Sequence, residues 1–183
     1  MASPREPLLS AAFLELCMFN FAASAAVFAL LPVAPYRIQH LGGPTAAAGL
    51  FLGSLTFASA LSAPFTGALG DRLGQGRVLV VAAAAIAALF AVYAFVSVWP
   101  LFVALAFAQG VFWSALLTSS GAYAVRLIPE SRRGEGFAVH GMATILAISL
   151  APSFGFVLFN FGWRCLTGTL ALVNAAIALL ALR

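Results

Sequence analysis

Residues 78–98 read VLVVAAAAIAALFAVYAFVSV, twenty-one residues without a charge. A transmembrane helix needs about 20 consecutive apolar residues, because the hydrocarbon core of a bilayer is roughly 30 Å thick and a helix rises about 1.5 Å per residue. A helix that is apolar on every side belongs in lipid or inside a large protein, and this chain is small. The stretch therefore predicts a membrane-spanning helix.

The rest of the chain has a similar composition. Of its 183 residues, 63% are hydrophobic and 8% are charged, against about 25% charged in an average soluble domain. So few charges cannot cover a water-facing surface, which excludes a soluble globular protein. The apolar runs predict a single all-α transmembrane bundle over residues 1–183, with six helices at about 8–31, 46–69, 78–98, 101–127, 136–159 and 165–182. We expect polar connections at 36–45, 70–77 and 128–135.

The nine arginines are distributed unevenly between these connections. If the N-terminus is cytoplasmic, the outside segments hold only Arg37 and Arg164. The inside segments hold Arg5, Arg72, Arg77, Arg126, Arg132, Arg133 and Arg183. Because cytoplasmic loops carry an excess of basic residues, the distribution predicts a multi-pass protein with both termini in the cytoplasm. We expect it in the plasma (inner) membrane.

The connection between the second and third spans reads Gly67-Ala68-Leu69-Gly70-Asp71-Arg72-Leu73-Gly74-Gln75-Gly76-Arg77. Glycines permit a tight reversal, and a carboxylate among basic neighbours forms charge-assisted contacts. The loop resembles the signature of the major facilitator superfamily, where it latches the two halves of a transporter in the outward-open state. It departs from the pattern at Gly76, where the family has the first of two basic residues. The resemblance implies the latch role for Gly67, Gly70, Asp71, Arg72, Gly74 and Arg77.

Two further stretches resemble the same family. Residues 129–136 resemble its loop between spans four and five, and Gly162-Trp163-Arg164 resembles the start of its span six. In the loop between spans four and five we single out Arg126, Glu130, Arg132 and Arg133, of which the arginines most simply fix the topology.

The resemblance implies one half of the major facilitator fold, built of three-helix units repeated in inverted orientation. Family members have two such halves with the solute between them. This chain matches the first half and stops where the connector to the second would begin. We therefore expect as partners the lipid bilayer, a small solute, and either a missing C-terminal half or a second copy, with no nucleic acid.

Two polar residues in the first span are candidates for a proton or solute cavity. Glu15 lies about 10 Å into the span, where an ionisable group is costly unless it is paired, protonated or hydrated. It is either a proton- or cation-binding site, or a side chain that reaches back to the interface near Arg5. Asn20 points about 140° away from Glu15 at 100° per residue, so the two cannot form one site. Asn20 either lines a cavity or bonds to a neighbouring helix.

Two more candidates lie in the fourth span. Gln109 and Trp113 are four residues apart and share a helix face, as residues facing a ligand would. The alternative, which we favour, is an inter-helix hydrogen bond plus packing. Ala106 stands where the family's Arg-x-x-Gln-Gly element has its arginine, so the resemblance does not extend to arginine-assisted proton coupling. In the second span, Gly49 and Gly53 form a small-xxx-small pair that lets two helices approach closely.

The function predicted from the sequence is that of a secondary transporter half, which moves a small solute by alternating access, with proton-coupled efflux as one form. The alternative is a truncated or half-size protein that only serves as an assembly partner. We expect no metal and no cofactor, because no CxxC or Cys/His spacing occurs. An intramembrane serine protease would need a base beside its serine, and neither Ser119 nor Ser120 has one nearby in sequence. We therefore expect no enzyme.

Overall fold

The computed structural model describes residues 9–182. Within them the chain is helical and contains no strand. The α-helices are α1 (Ala11–Leu30), α2 (Ala34–His40), α3 (Thr45–Leu73), α4 (Gln75–Tyr93), α5 (Trp99–Leu127), α6 (Arg133–Asn160) and α7 (Trp163–Leu180), with a 3-10 helix at Glu130–Arg132. Six helical stretches of this region are long and apolar enough to cross a membrane, and α1 and α2 together form the first, Ala11–His40. The predicted all-α transmembrane fold is confirmed.

The first span is longer than the sequence predicts. We expected Pro32 and Pro35 to end it and residues 36–45 to be a polar connection. Instead the chain makes one irregular turn and continues as α2 to His40. Pro35 lies in the first turn of α2, where its missing N–H leaves no hydrogen bond unmade and its fixed φ suits a helix. The expectation of a connection at 36–40 was therefore wrong.

Two other connections are shorter than predicted. The turn expected at 70–77 reduces to Gly74, whose φ of +92° reverses the chain between α3 and α4. Most of the loop expected at 128–135 is helical, because α6 begins at Arg133. With 29 residues, α3 is roughly 43 Å long, more than the roughly 30 Å of hydrocarbon. Helical hydrogen bonds continue into the polar region, so hydropathy predicts α3 and α6 too short. The third span shows the opposite error, because α4 ends at Tyr93 and the predicted helix ran to residue 98.

The helices pack in a pattern that repeats itself. The main pairs are α3 with α5, α1 with α6 and α4 with α7, followed by α4 with α5 and α1 with α7. The spans form two units of three, the first ending with α4 and the second beginning with α5. In this division α1, α3 and α4 correspond to α5, α6 and α7. Replacing each helix of the α3–α5 pair by its counterpart gives the α6–α1 pair, and the same replacement turns the α4–α5 pair into the α7–α1 pair. This is the packing symmetry of an inverted repeat.

Glycines mark the two closest crossings. A Cβ added at Gly110 in α5 would collide with the Leu55 carbonyl oxygen of α3. A Cβ at Gly155 in α6 would collide with the Ala29 carbonyl oxygen of α1. Each crossing therefore depends on a residue without a side chain, which lets two backbones touch. The pair that the sequence singled out, Gly49 and Gly53, is exposed, with no atom of the described chain near either Cβ position.

The bundle has two ends. The Asp71 end carries the α3–α4 and α5–α6 connections, and the Trp163 end carries the α4–α5 and α6–α7 connections. Of the predicted inside arginines, the described ones all lie near the Asp71 end, while Arg5 and Arg183 lie outside the described residues.

Candidate functional site

The α3–α4 turn holds Asp71 in a defined position. Asp71 is exposed, and its Oδ1 accepts a hydrogen bond of 3.0 Å from the Gln75 side-chain amide across Gly74. Gln75 is buried although it is polar, because its amide lies over Gly70, where a Cβ would collide with it. The sequence reasoning passed over Gln75. An amide four residues after an aspartate, across a glycine turn, is the signal that could have identified it.

The other residues of the predicted latch face outward. Arg72 and Arg77 are exposed, and neither forms an ion pair with residues 9–182. No atom of the described chain lies within 4 Å of a Cβ built at Gly67. Arg72, Arg77 and the Asp71 carboxylate thus remain available to groups outside this bundle.

The α5–α6 connection has a different electrostatic arrangement. Arg133 donates to Glu130 at 2.9 Å, and the Nε of Arg132 donates to Glu135 at 2.9 Å. Both pairs are three residues apart and largely exposed, so each is worth little to stability. Arg126 lies in the last turn of α5 and is exposed. The acids of this connection are thus satisfied locally, and neither pair reaches Asp71.

The two candidates in α1 lie on different surfaces. Glu15 is exposed in the second turn of the helix. Asn20 is buried, and its side-chain amide donates a 2.7 Å hydrogen bond to the Thr144 hydroxyl of α6. Its Oδ1 has no partner within the described chain. The structure therefore has the neighbour-helix bond that was one of the two alternatives for Asn20.

The two candidates in α5 also contact neighbouring helices. The Oε1 of Gln109 accepts a 3.0 Å hydrogen bond from the buried Tyr93 hydroxyl of α4. Gln109 is fully buried, and its Nε2 has no partner among residues 9–182. The Trp113 ring meets Phe28 of α1 edge-on, with centroids 6.1 Å apart. The four cavity candidates are thus not gathered into one site, and three of them connect helices.

An open groove of about 310 Å³ lies between α3 and α5, and Trp113 forms part of its wall. Its polar lining comes from Thr56, Ser59, Ser114 and Thr118. Thr118 donates to the Ser114 carbonyl oxygen at 2.8 Å, so its proton is already used within the helix. The groove has the mixed character of a solute site, with an aromatic wall and a few hydroxyls.

The structure contains a serine–histidine pair that the sequence analysis did not predict. The Ser120 hydroxyl of α5 lies 3.0 Å from Nε2 of His140 in α6. Ser120 has no base nearby in sequence, but the fold brings one to it from the next helix. Antiparallel helices bring together residues equidistant from their connection, and 120 and 140 are equidistant from 130. His140 lies within α6.

Residues 16–183 match the model of the Major Facilitator Superfamily. The match covers all six spans except the start of α1. No curated protein matches the chain.

Proposed function

Because this chain belongs to the Major Facilitator Superfamily, a family of membrane transporters, we propose that it forms one six-helix half of a secondary transporter. The half moves a small solute by rocking against a second six-helix unit, which is either a C-terminal half or a second copy. The family match over residues 16–183 carries the proposal. The inverted-repeat packing supports it, because such repeats place the solute near the midplane between two units.

A row of small residues on α3 supports the proposal that a second six-helix unit binds this half. Ala46, Gly49, Gly53, Thr56 and Ala60 recur at intervals of three and four residues, and all are exposed in the described chain. Small side chains at this spacing let a partner helix approach closely in lipid, where apolar burial offers no driving force. We propose that the second unit packs along this row.

The α3–α5 groove borders the same row, since Thr56 and Ala60 belong to both. A second unit on the row would therefore place the groove between the two halves. We propose that the solute contacts Trp113 there. The unpaired Oδ1 of Asn20 and Nε2 of Gln109 are further polar contacts that become accessible when the helices shift.

We also propose that transport of the solute is coupled to protons. Glu15, in the second turn of α1, is the described carboxylate of the first span, and it carries the proton in this scheme. Hoechst 33342, a lipophilic dye, provides a probe in everted vesicles energised with a pH gradient. Wild type should accumulate the dye, and Glu15→Gln should lose the gradient-driven part. If dye accumulation depends equally on the pH gradient in wild type and in Glu15→Gln, a group other than Glu15 carries the proton.

The latch role of Asp71 has a sharp test. Asp71→Asn keeps an oxygen that accepts from Gln75, so the chain should insert and fold normally. It removes the charge that a second unit would bind, and charge-assisted hydrogen bonds contribute about 1.5–3 kcal/mol. Dye transport should therefore fall roughly tenfold or more. Glu135→Gln removes an equivalent charge from the same end and is the matched control, with transport near wild type.

Unchanged transport in Asp71→Asn would contradict the latch. No transport by the wild type, with the chain folded and bound to a partner, would favour the alternative of an assembly protein without transport.

We propose that Ser120 and His140 are a helix-to-helix contact and that the chain is not an enzyme. Ser120→Ala should then leave dye transport active.

Orientation and membrane are tested with the native cysteines. Cys165 is exposed near the Trp163 end, whereas Cys17 is buried in α1. We propose a plasma-membrane location with both termini in the cytoplasm, which puts Cys165 outside. A membrane-impermeant maleimide should label intact cells, and Cys165→Ser should abolish the signal. Labelling only after cell lysis would reverse the topology.

A further inference from the structure

An open depression of about 520 Å³ lies at the Trp163 end of the bundle. Its walls are Arg37 of α2, residues 94–97 after α4, and the start of α7 from Gly162 to Arg164. Three separate parts of the fold therefore meet there, far from the latch and from the α3–α5 groove.

Arg37 is held firmly in the wall of this depression. It donates from Nη2 to the Val96 carbonyl oxygen at 3.1 Å, and its guanidinium carbon lies 5.3 Å from the centre of the Trp163 ring. The indole of Trp163 is fixed in turn by a 2.8 Å hydrogen bond to the Tyr93 carbonyl oxygen. Nε of Arg37 is buried without a partner in the described chain. The guanidinium is thus preorganised, and Val96 accepts its one hydrogen bond within the described chain.

Arg164 brings a second positive charge to the same place. Its guanidinium carbon lies 5.7 Å from the centre of the Phe95 ring, and the residue is exposed. No residue lining the depression is acidic. The acids that the structure describes all lie towards the Asp71 end, at Glu15, Asp71, Glu130 and Glu135. Two clustered arginines without a carboxylate favour binding of an anion from elsewhere.

The start of α7 adds to this positive field. Gly162 precedes the helix with φ of +111°, and no side chain caps the first turn. The free N–H groups and dipole of a helix N-terminus favour anions. The C-terminus of α4 ends nearby, but Trp163 and Arg37 already bind the carbonyl oxygens of Tyr93 and Val96. The opposing negative end is therefore partly neutralised.

Exposed aromatic residues place the depression at the membrane interface. Tyr36, Phe95 and Phe161 are 55%, 74% and 77% exposed and lie in or next to its walls in sequence. Aromatic side chains of this kind concentrate at the level of lipid headgroups. A phosphate at this position is more readily supplied by lipid than by bulk water.

We propose that this depression binds the phosphate of an anionic phospholipid headgroup between Arg37, Arg164 and the N-terminus of α7. The site is separate from the proposed transport path. It fixes α2, the α4–α5 connection and α7 to the bilayer surface.

The test is a titration of the purified chain in detergent with dioctanoyl phosphatidylglycerol, read by native mass spectrometry. Arg37→Gln/Arg164→Gln should bind the lipid at least about tenfold more weakly, because both charge-assisted contacts are lost. Arg72→Gln/Arg126→Gln removes the same charge from exposed arginines of the Asp71 end and should stay within about twofold of wild type. Equal weakening in both pairs would overturn the site, since it would report net charge alone.

Two further titrations identify the source of the phosphate. Dioctanoyl phosphatidylcholine, whose headgroup is neutral overall, should bind clearly more weakly, and equal binding would overturn the requirement for an anionic lipid. Inorganic phosphate should not displace the lipid at equal concentration; displacement would show a site for free anions instead. Arg164→Gln alone keeps the contacts of Arg37 with Val96 and Trp163, so the walls of the depression should stay in place. It should weaken binding by an intermediate amount, and full wild-type affinity in this variant would contradict the proposal.

Discussion

Gly110→Ala should open one of the two closest helix crossings of the bundle. The new Cβ would collide with the Leu55 carbonyl oxygen and lie 2.9 Å from Cβ of Ala58, while carbon atoms in contact prefer about 3.5–4.0 Å. The backbone carbonyl cannot rotate away without breaking a helical hydrogen bond, so α3 and α5 must separate. Overpacking of this kind costs about 1–3 kcal/mol, or roughly a 5- to 150-fold change in the unfolding equilibrium.

Gly121→Ala is the matched control, because it lies in the same helix and its Cβ would meet nothing within 4 Å. Alanine is the better helix former by up to about 1 kcal/mol, so this variant should be no less stable than wild type. The assay is unfolding in dodecyl maltoside micelles with increasing dodecyl sulfate, followed by tryptophan fluorescence. If Gly110→Ala unfolds at the same midpoint as Gly121→Ala, the close α3–α5 crossing is wrong.

Two inter-helix hydrogen bonds give further predictions in the same assay. Thr144→Val keeps the side-chain shape but leaves the buried Asn20 amide without its 2.7 Å acceptor, so the free energy of unfolding should fall by about 1 kcal/mol. A double-mutant cycle with Asn20→Ala should show coupling, and strictly additive effects would contradict a direct bond. Tyr93→Phe removes the only hydrogen-bond partner that Gln109 has among the described side chains. It should cost about 1–3 kcal/mol, whereas a neutral result would mean that Gln109 finds another partner.

The number and places of the spans were predictable because lipid imposes a strict rule. Every backbone group in the hydrocarbon must bond within its own helix, so a spanning helix appears as an uninterrupted apolar run such as 78–98, of which α4 covers 78–93. The ends were not predictable, because hydropathy reports contact with lipid and not helical hydrogen bonding. This is why 36–40 and 70–73 are helical although they read as connections.

The candidate site was predictable only in part, because its contacts depend on which helices pack together. The turn at Gly74 and the exposure of Asp71 follow from local chemistry. The bond from Asn20 to Thr144 joins residues 124 positions apart, and no local pattern contains it. Ser120 and His140 were accessible in principle, since they flank one connection at equal distance.

The contacts that hold this bundle together mostly cross between its two three-helix units. Asn20 of the first unit bonds to Thr144 of the second, and Tyr93 of the first bonds to Gln109 of the second. Both glycine crossings, α3–α5 and α1–α6, also join one unit to the other. Within a unit, α3 and α4 make far fewer contacts than α3 and α5 do, and α6 and α7 make far fewer than α1 and α6 do.

It follows that neither three-helix unit should be stable alone, although each consists of helices that insert into the membrane. Residues 1–98 and 99–183, produced separately, should be degraded by added protease and aggregate in detergent. Produced together, they should associate and regain the resistance of the intact chain, since the cut falls in the α4–α5 connection and breaks none of the crossings. A fragment that alone gives a monodisperse, protease-resistant species would show that the units are independent, and that the inverted repeat here is only a resemblance in packing. Failure of the pair to associate would show instead that the α4–α5 connection itself holds the units together.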